Sequence, residues 1–289
     1  MTSTPFEWQG LAVEERMAPV PGGEIAVSLL GNGPALVLLH GITSTGAAWG
    51  SVAGQLAADF QLIAIDHRGH GQSFKPEQGY LLTDYAADLD AILGHFGLDR
   101  PLIMGHSLGG MVALEWAIGQ PDRAAALVIE DSPMRHGGEG SAEMFDGWIE
   151  TSLLPVNEAV AVYREKYPAM SGAEMKRRAE SITGTAMGVF TELKAAMQAH
   201  EGKSVIYRYA GINSPVQLVY GDISEGGMVP QSDARCFEQS LAQAESALLP
   251  GVGHGLHYDA PEQFLDLVTP FLKRHASNAS WIGGGADQG

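Results

Sequence analysis

A single cysteine, Cys236, is all the thiol chemistry in the 289-residue chain, so no disulfide can form within it. Phe237 follows it in a segment that reads as a helix, and a buried, inert thiol is expected. Cations are also scarce: 17 Lys and Arg stand against 34 Asp and Glu, a formal charge of −17. Such a surface repels phosphate backbones and anionic lipid, so neither nucleic acid nor a membrane surface is an expected partner. Solubility alone accounts for the acidity. No window holds 18 uninterrupted apolar residues, so no membrane-spanning helix is expected. Met1 to Gly10 lacks a basic start followed by an apolar run, so no secretory signal is read and the cytoplasm is the expected location. Internal repeats and extended low-complexity tracts are missing as well, and nothing in the sequence speaks to oligomeric state.

What remains is an ordinary globular composition, 45% hydrophobic and 18% charged, enough for one large core with a smaller appended unit. Strand-like runs fall at 24–30, 35–40, 61–66, 102–106, 125–130, 216–220 and 246–249. Four of them, around Leu36 to Leu39, Leu62 to Ile65, Leu102 to Met104 and Leu127 to Ile129, are apolar on successive residues, the mark of strands buried on both faces. Helix-like runs at 46–58, 83–96, 108–119 and 261–274 alternate with them, which predicts a doubly wound α/β plan with a mostly parallel sheet.

The alternation stops between about Pro133 and Arg208, where three or four helices are expected to begin near Ser141, Pro155, Ser171 and Gly188. The expected division is a core of residues 1–133 and 209–275, a helical cap of 134–208, and a flexible tail of 276–289. An insertion at that point sits above the strand ends, where ligands bind in open α/β sheets. Its Met and aromatic residues mostly hold the insertion together, and a minority are expected to roof an apolar pocket. Arg135, Arg164 and Lys166 are the cations there that could grip a carboxylate, although a solvated surface role accounts for each.

Ser107 sits in Gly105-His106-Ser107-Leu108-Gly109-Gly110, between a strand-like and a helix-like run. A serine on a tight strand-to-helix turn needs small residues two before and two after it. The turn lifts the hydroxyl clear and aims the first helical N–H groups at the place where a negative oxygen develops. Serine needs a base, and His254 in Gly251-Val252-Gly253-His254-Gly255 follows the last predicted strand. His257 is the lesser candidate, with a structural or pocket-lining role expected. His40-Gly41-Ile42 ends another buried strand, so the N–H groups of Ile42 and Leu108 are the candidate oxyanion donors. Asp66 to Ser73 reads as a rigid turn tied by Asp66 and Arg68. His67 and His70 within it lack a third ligand at metal-binding spacing, so no metal site is expected.

Taken together, His40-Gly41, Asp66-x-Arg68-Gly69-x-Gly71-x-Ser73, Gly105-x-Ser107-x-Gly109-Gly110 and Gly253-His254 resemble the α/β-hydrolase superfamily over roughly residues 20–275. The resemblance implies an eight-stranded sheet, a helical cap after the sixth strand, and a Ser–acid–His triad with Ser107 as nucleophile, His254 as base and Ile42 and Leu108 donating to the oxyanion; acyl transfer of that kind needs no metal or organic cofactor. The acid departs from the usual Gly-x-x-Asp after the seventh strand, because Ser224 occupies that place in Gly221-Asp222-Ile223-Ser224. Three candidates stay open: Asp131, at the end of the sixth strand, and Asp222 and Glu225 after the seventh. The expected activity is hydrolysis of a small apolar or aromatic ester or lactone. Amide hydrolysis, carbon–carbon bond hydrolysis of ring-cleavage products and cofactor-free perhydrolysis remain open alternatives, as does a small-molecule receptor on the same fold.

Overall fold

A computed structural model of the chain describes residues 8, 10–137, 140–168 and 170–282. The segment in which no secretory signal was read lies mostly outside them. Eight strands form one sheet in the order β1-β2-β4-β3-β5-β6-β7-β8. They are β1 (Glu14–Val20), β2 (Gly23–Leu30), β3 (Ala35–Leu39), β4 (Gln61–Ile65), β5 (Leu102–His106), β6 (Ala126–Glu130), β7 (Val216–Gly221) and β8 (Ala244–Leu249). Strands β1, β2 and β4 pair antiparallel, and every pairing from β4 through β3 to β8 is parallel. The doubly wound, mostly parallel eight-stranded plan is therefore the observed one.

The apolar runs explain the layering. Every residue of β3, β5, β6 and β7 is buried, and successive side chains enter opposite faces. Val37, Leu39, Ile103, Leu127 and Ile129 share one apolar cluster with Leu89 and Leu93 of helix α2 and Val112 and Trp116 of α3. Leu36, Leu38, Leu102, Met104 and Val128 share the other with Val52 and Leu56 of α1 and Phe264, Val268 and Phe271 of α10. Here α1 is Gly50–Leu56, α2 is Leu82–His95, α3 is Leu108–Gly119 and α10 is Pro261–His275. Helix α3 is buried nearly all round, consistent with a sequence that is apolar apart from Glu115.

Between β6 and β7 stand α4 (Ser141–Ser152), α5 (Val156–Lys166), α6 (Gly172–Gly184) and α7 (Met187–Gln198), starting where the sequence places them. Ser171 caps α6 by accepting the Glu174 N–H at 3.2 Å. The insertion is tied to the sheet's loops: Ala186 N–H donates to Gly69 O, and Glu192 accepts the N–H of Tyr80 at 3.0 Å. After β7 come α8 (Gln231–Ser240), the single turn α9 (Leu256–Asp259) and α10 (Pro261–His275), which opens on a proline and ends on Lys273-Arg274-His275.

Three expectations are corrected. Strand β1 was not foreseen, because only Ala18 among its seven residues is buried and its composition carries no apolar alternation. Cys236 is exposed, since α8 turns Asp233, Ala234 and Phe237 inward and leaves the thiol outside that stripe. Residues 276–282 of the expected flexible tail are docked: Ser280 exchanges main-chain bonds with Ala35 and Arg100, and Ile282 packs on the core. The rest of that tail, 283–289, lies outside the described residues.

Candidate active site

Ser107 links β5 to α3 with φ 53° and ψ −115°, a backbone region that side-chain-bearing residues rarely occupy. The surrounding glycines are a steric requirement. A Cβ at Gly105 would press on the main chain of Gly109, one at Gly109 on the main chain of Leu39, and one at Gly110 on the Ser132 hydroxyl. The Ser107 N–H donates to Glu130 O at 3.0 Å, fastening the turn to β6.

The structure brings Asp131, of the three candidate acids, to His254: His254 Nδ1 lies 2.7 Å from Asp131 Oδ2. Asp131 is fully buried, also at positive φ (38°), immediately past β6. Its Oδ1 accepts the Gly221 N–H at 3.1 Å and its Oδ2 the Met228 N–H at 2.8 Å, so the loop after β7 wraps this carboxylate. Asp222 is turned away. Its Oδ1 accepts the Ser224 N–H at 3.1 Å and the Ser224 hydroxyl at 2.9 Å, and these bonds hold its carboxyl below the usual range. Glu225 ends a short exposed turn at the cavity rim and is not hydrogen-bonded to His254.

The other histidines near the strand ends hold main chain in place. His67 N–H donates to His40 Nε2 at 3.0 Å, which leaves His40 Nδ1–H to donate to Gly41 O at 2.7 Å. His70 Nε2 lies 2.7 Å from Ile42 O. Together they clamp the Gly41-Ile42 segment, and the Ile42 N–H has no partner among the described residues. Asp66 accepts the N–H groups of Gly46 (2.8 Å) and Gln72 (2.9 Å), while Arg68 reaches past the turn to form a two-pronged pair with Asp88 of α2. Burial keeps His40 and His70 below the ordinary histidine value and His67 down at about 3. No group of three or more His, Cys, Asp or Glu suited to a metal ion occurs among the described residues.

Sequence reasoning missed a second carboxylate–histidine pair. Glu130 Oε2 lies 2.7 Å from His257 Nδ1, and Glu130 Oε1 accepts the His257 main-chain N–H at 3.0 Å. Both side chains are sealed from solvent, and His257 stacks on Trp49 with ring centroids 4.3 Å apart. Burial raises the Glu130 carboxyl to about 7 and lowers the His257 ring to about 3, so burial keeps the ring uncharged and opposes ionisation of the carboxyl beside it. His106 Nε2–H donates to His254 O at 3.0 Å, a second tie on the same loop.

Ser107 lies where two cavities meet. One, of about 360 Å³, is lined by Ile42, Leu108, Met144, Phe145, Trp148 and Met197 among others, so its walls are largely apolar. The other, of about 620 Å³, is shared by Ser107, His254, Ser44, Arg178, Tyr258 and Asp259. The insertion helices thus contribute part of the lining, as their apolar content led us to expect. Of the cations named from sequence, Arg135 is taken by Asp233 (2.6 and 2.7 Å) and Arg164 and Lys166 are exposed. Arg178 was not foreseen, because Glu-x-x-x-Arg at helical spacing reads as an ordinary surface pair.

The family model described as alpha/beta hydrolase fold matches residues 34–261. The chain is 27% identical over 262 residues to 2-(acetamidomethylene)succinate hydrolase of Mesorhizobium japonicum, covering 84% of this chain and 89% of that protein. Among solved structures it resembles Est816, described as an N-acyl homoserine lactone degrading enzyme (TM-score 0.70, 25% identity, 89% of this chain and all of that one). The esterase RhEst1 from Rhodococcus sp. ECU1013 shares the fold (TM-score 0.72, 24% identity, 91% and 99% covered).

Proposed function

Because the chain belongs to the alpha/beta hydrolase fold family, we propose that it cleaves carboxylic esters or lactones by an acyl-enzyme mechanism on Ser107, His254 and Asp131. The observation that carries this reading is the bond that pins His254 Nδ1 to Asp131, on a ring that lines the same cavity as Ser107. A carboxylate there fixes the ring's orientation and stabilises the imidazolium that forms once Nε2 accepts a proton.

His254 Nε2 takes the Ser107 hydroxyl proton as Oγ attacks the substrate carbonyl, giving a tetrahedral oxyanion. The N–H groups of Ile42 and Leu108 donate to that oxygen, each contributing about 3 kcal/mol of transition-state stabilisation. Collapse breaks the carbon–oxygen bond, and the proton on His254 passes to the departing alkoxide, leaving an acyl-serine. Water then gives a proton to His254 and attacks the acyl carbon; the second collapse frees the acid and returns the proton to Ser107. The helices α4–α7 act as a cap, and Met144, Phe145, Trp148 and Met197 favour an apolar acyl or aryl group.

Turnover of p-nitrophenyl butanoate tests the reading. The unaltered enzyme is expected to turn over repeatedly, and Ser107→Ala to lose about 10⁴-fold or more of kcat. Release of one equivalent per chain, or turnover indifferent to Ser107→Ala, would overturn it.

A further inference from the structure

The polar cavity contains one Lys or Arg among its described lining residues, Arg178 of α6. Its guanidinium is held on two sides. Nε donates to Glu174 Oε1 at 2.8 Å, and the guanidinium carbon lies 5.2 Å from the centre of the Tyr258 ring. Tyr258 is itself fixed by Ser44, with the two hydroxyls 3.1 Å apart. That leaves the Nη edge without a hydrogen-bond partner among the described residues, on a side chain one-third exposed. Arg177 shares the Glu174 carboxylate, so two guanidinium groups face one anion and the trio carries a net charge of +1. Other acidic groups on the wall are Asp259, whose carboxyl burial raises, and Glu225.

A planar, pre-positioned guanidinium with a free two-donor edge suits a carboxylate. The apolar cavity, which meets the polar one at Ser107, offers no such group among its described lining residues, since Arg135 there is already paired with Asp233. We propose that Arg178 selects substrates whose leaving group carries a carboxylate, with the acyl group seated in the apolar cavity. This rests on the ester-hydrolase reading above and adds the substrate's charge and its orientation.

The test compares 4-(butanoyloxy)benzoate with 4-(butanoyloxy)benzamide, which differ in leaving-group charge and little in shape. The expected result is a preference in kcat/KM of about tenfold or more for the benzoate, expressed in KM, which one charge-assisted bond supplies. Arg178→Gln collapses that ratio towards one and Arg178→Lys keeps part of it, with thermal melts confirming that both variants fold. Equal kcat/KM for the two esters, or a preference that survives Arg178→Gln, overturns the proposal. A carboxylate on the acyl side, in p-nitrophenyl hydrogen succinate against p-nitrophenyl butanoate, is expected to bring no Arg178-dependent gain; such a gain overturns the orientation. Calorimetric binding of 4-hydroxybenzoate against 4-hydroxybenzamide to Ser107→Ala protein separates the two readings. Arg178-dependent selectivity there stands even if no ester is turned over, in which case only the hydrolase mechanism fails.

Discussion

Glu130 and Asp131 are neighbours in the chain, and each holds a histidine of the segment between β8 and α10, yet the two pairs have opposite surroundings. His254, on Asp131, is one-third exposed and lines the cavity, whereas His257, on Glu130, is sealed beneath it against Trp49. Asp131 also gathers main-chain N–H groups from Gly221 and Met228, while Glu130 receives only that of His257. The same carboxylate–histidine pairing is therefore set to different tasks chiefly by access. The open pair can exchange a proton with a bound substrate, and the sealed pair can only hold the loop that presents its neighbour.

The hardest test of that contrast is on the acids. Asp131→Asn is expected to lower kcat about 10⁴-fold, since the amide cannot stabilise the imidazolium. Asp222→Asn, whose carboxylate is spent on Ser224, is expected to stay within about threefold. Turnover of p-nitrophenyl butanoate, normalised to folded protein, reads both. Comparable losses in the two variants would dissolve the distinction between the carboxylate at the ring and the one beside it.

The sealed side should show itself in acid. Burial holds His67, His106 and His257 at about 3, so all three are neutral when folded and protonate near the ordinary 6.5 when unfolded. Between those values the unfolded chain binds more protons, so stability rises with pH and is lost as pH falls below 6.5, at about 1.4 kcal/mol per pH unit per ring. Glu130, raised to about 7, works the other way: it keeps its proton in the fold above 4.5, and its contribution is lost as pH climbs through 7. From these four groups a net loss of about 3 kcal/mol per pH unit is expected below pH 6.5. Urea unfolding at pH 7, 6 and 5 measures it, and a flat profile would mean that the buried rings are solvated.

Much of this was legible in the residues, and the gaps have physical causes. Apolar runs marked the inner strands, because a strand buried on both faces has no polar position to spare, and β1 escaped because it is an exposed edge. Ser107 and His254 were legible because a tight turn demands glycine on either side. The choice among Asp131, Asp222 and Glu225 was not, since it depends on the path of the 222–230 loop, which delivers the Met228 N–H to Asp131. Glu130 gave no signal because a buried acid at a strand end looks like any other until its histidine partner is brought over from 127 positions away. Arg178 was hidden by its spacing to Glu174, the same spacing that fixes its free edge.

The smallest expected effect is the most discriminating for the sealed pair. Glu130→Leu removes the acceptor of the His257 N–H and the partner of Nδ1, leaving two buried polar groups unsatisfied, for a loss of about 3 kcal/mol. Glu130→Gln retains an oxygen for the N–H and offers an amide N–H to the ring nitrogen, so it is expected to cost about 1 kcal/mol or less. In both variants kcat per folded molecule should stay within about fivefold of the unaltered enzyme, because the sealed ring touches no substrate. Chemical denaturation paired with ester turnover on the same samples separates stability from chemistry. If Glu130→Gln lost activity on the scale of Asp131→Asn while keeping its stability, the sealed pair would be contributing to the reaction and not only to the fold, and access would no longer be what divides the two pairs.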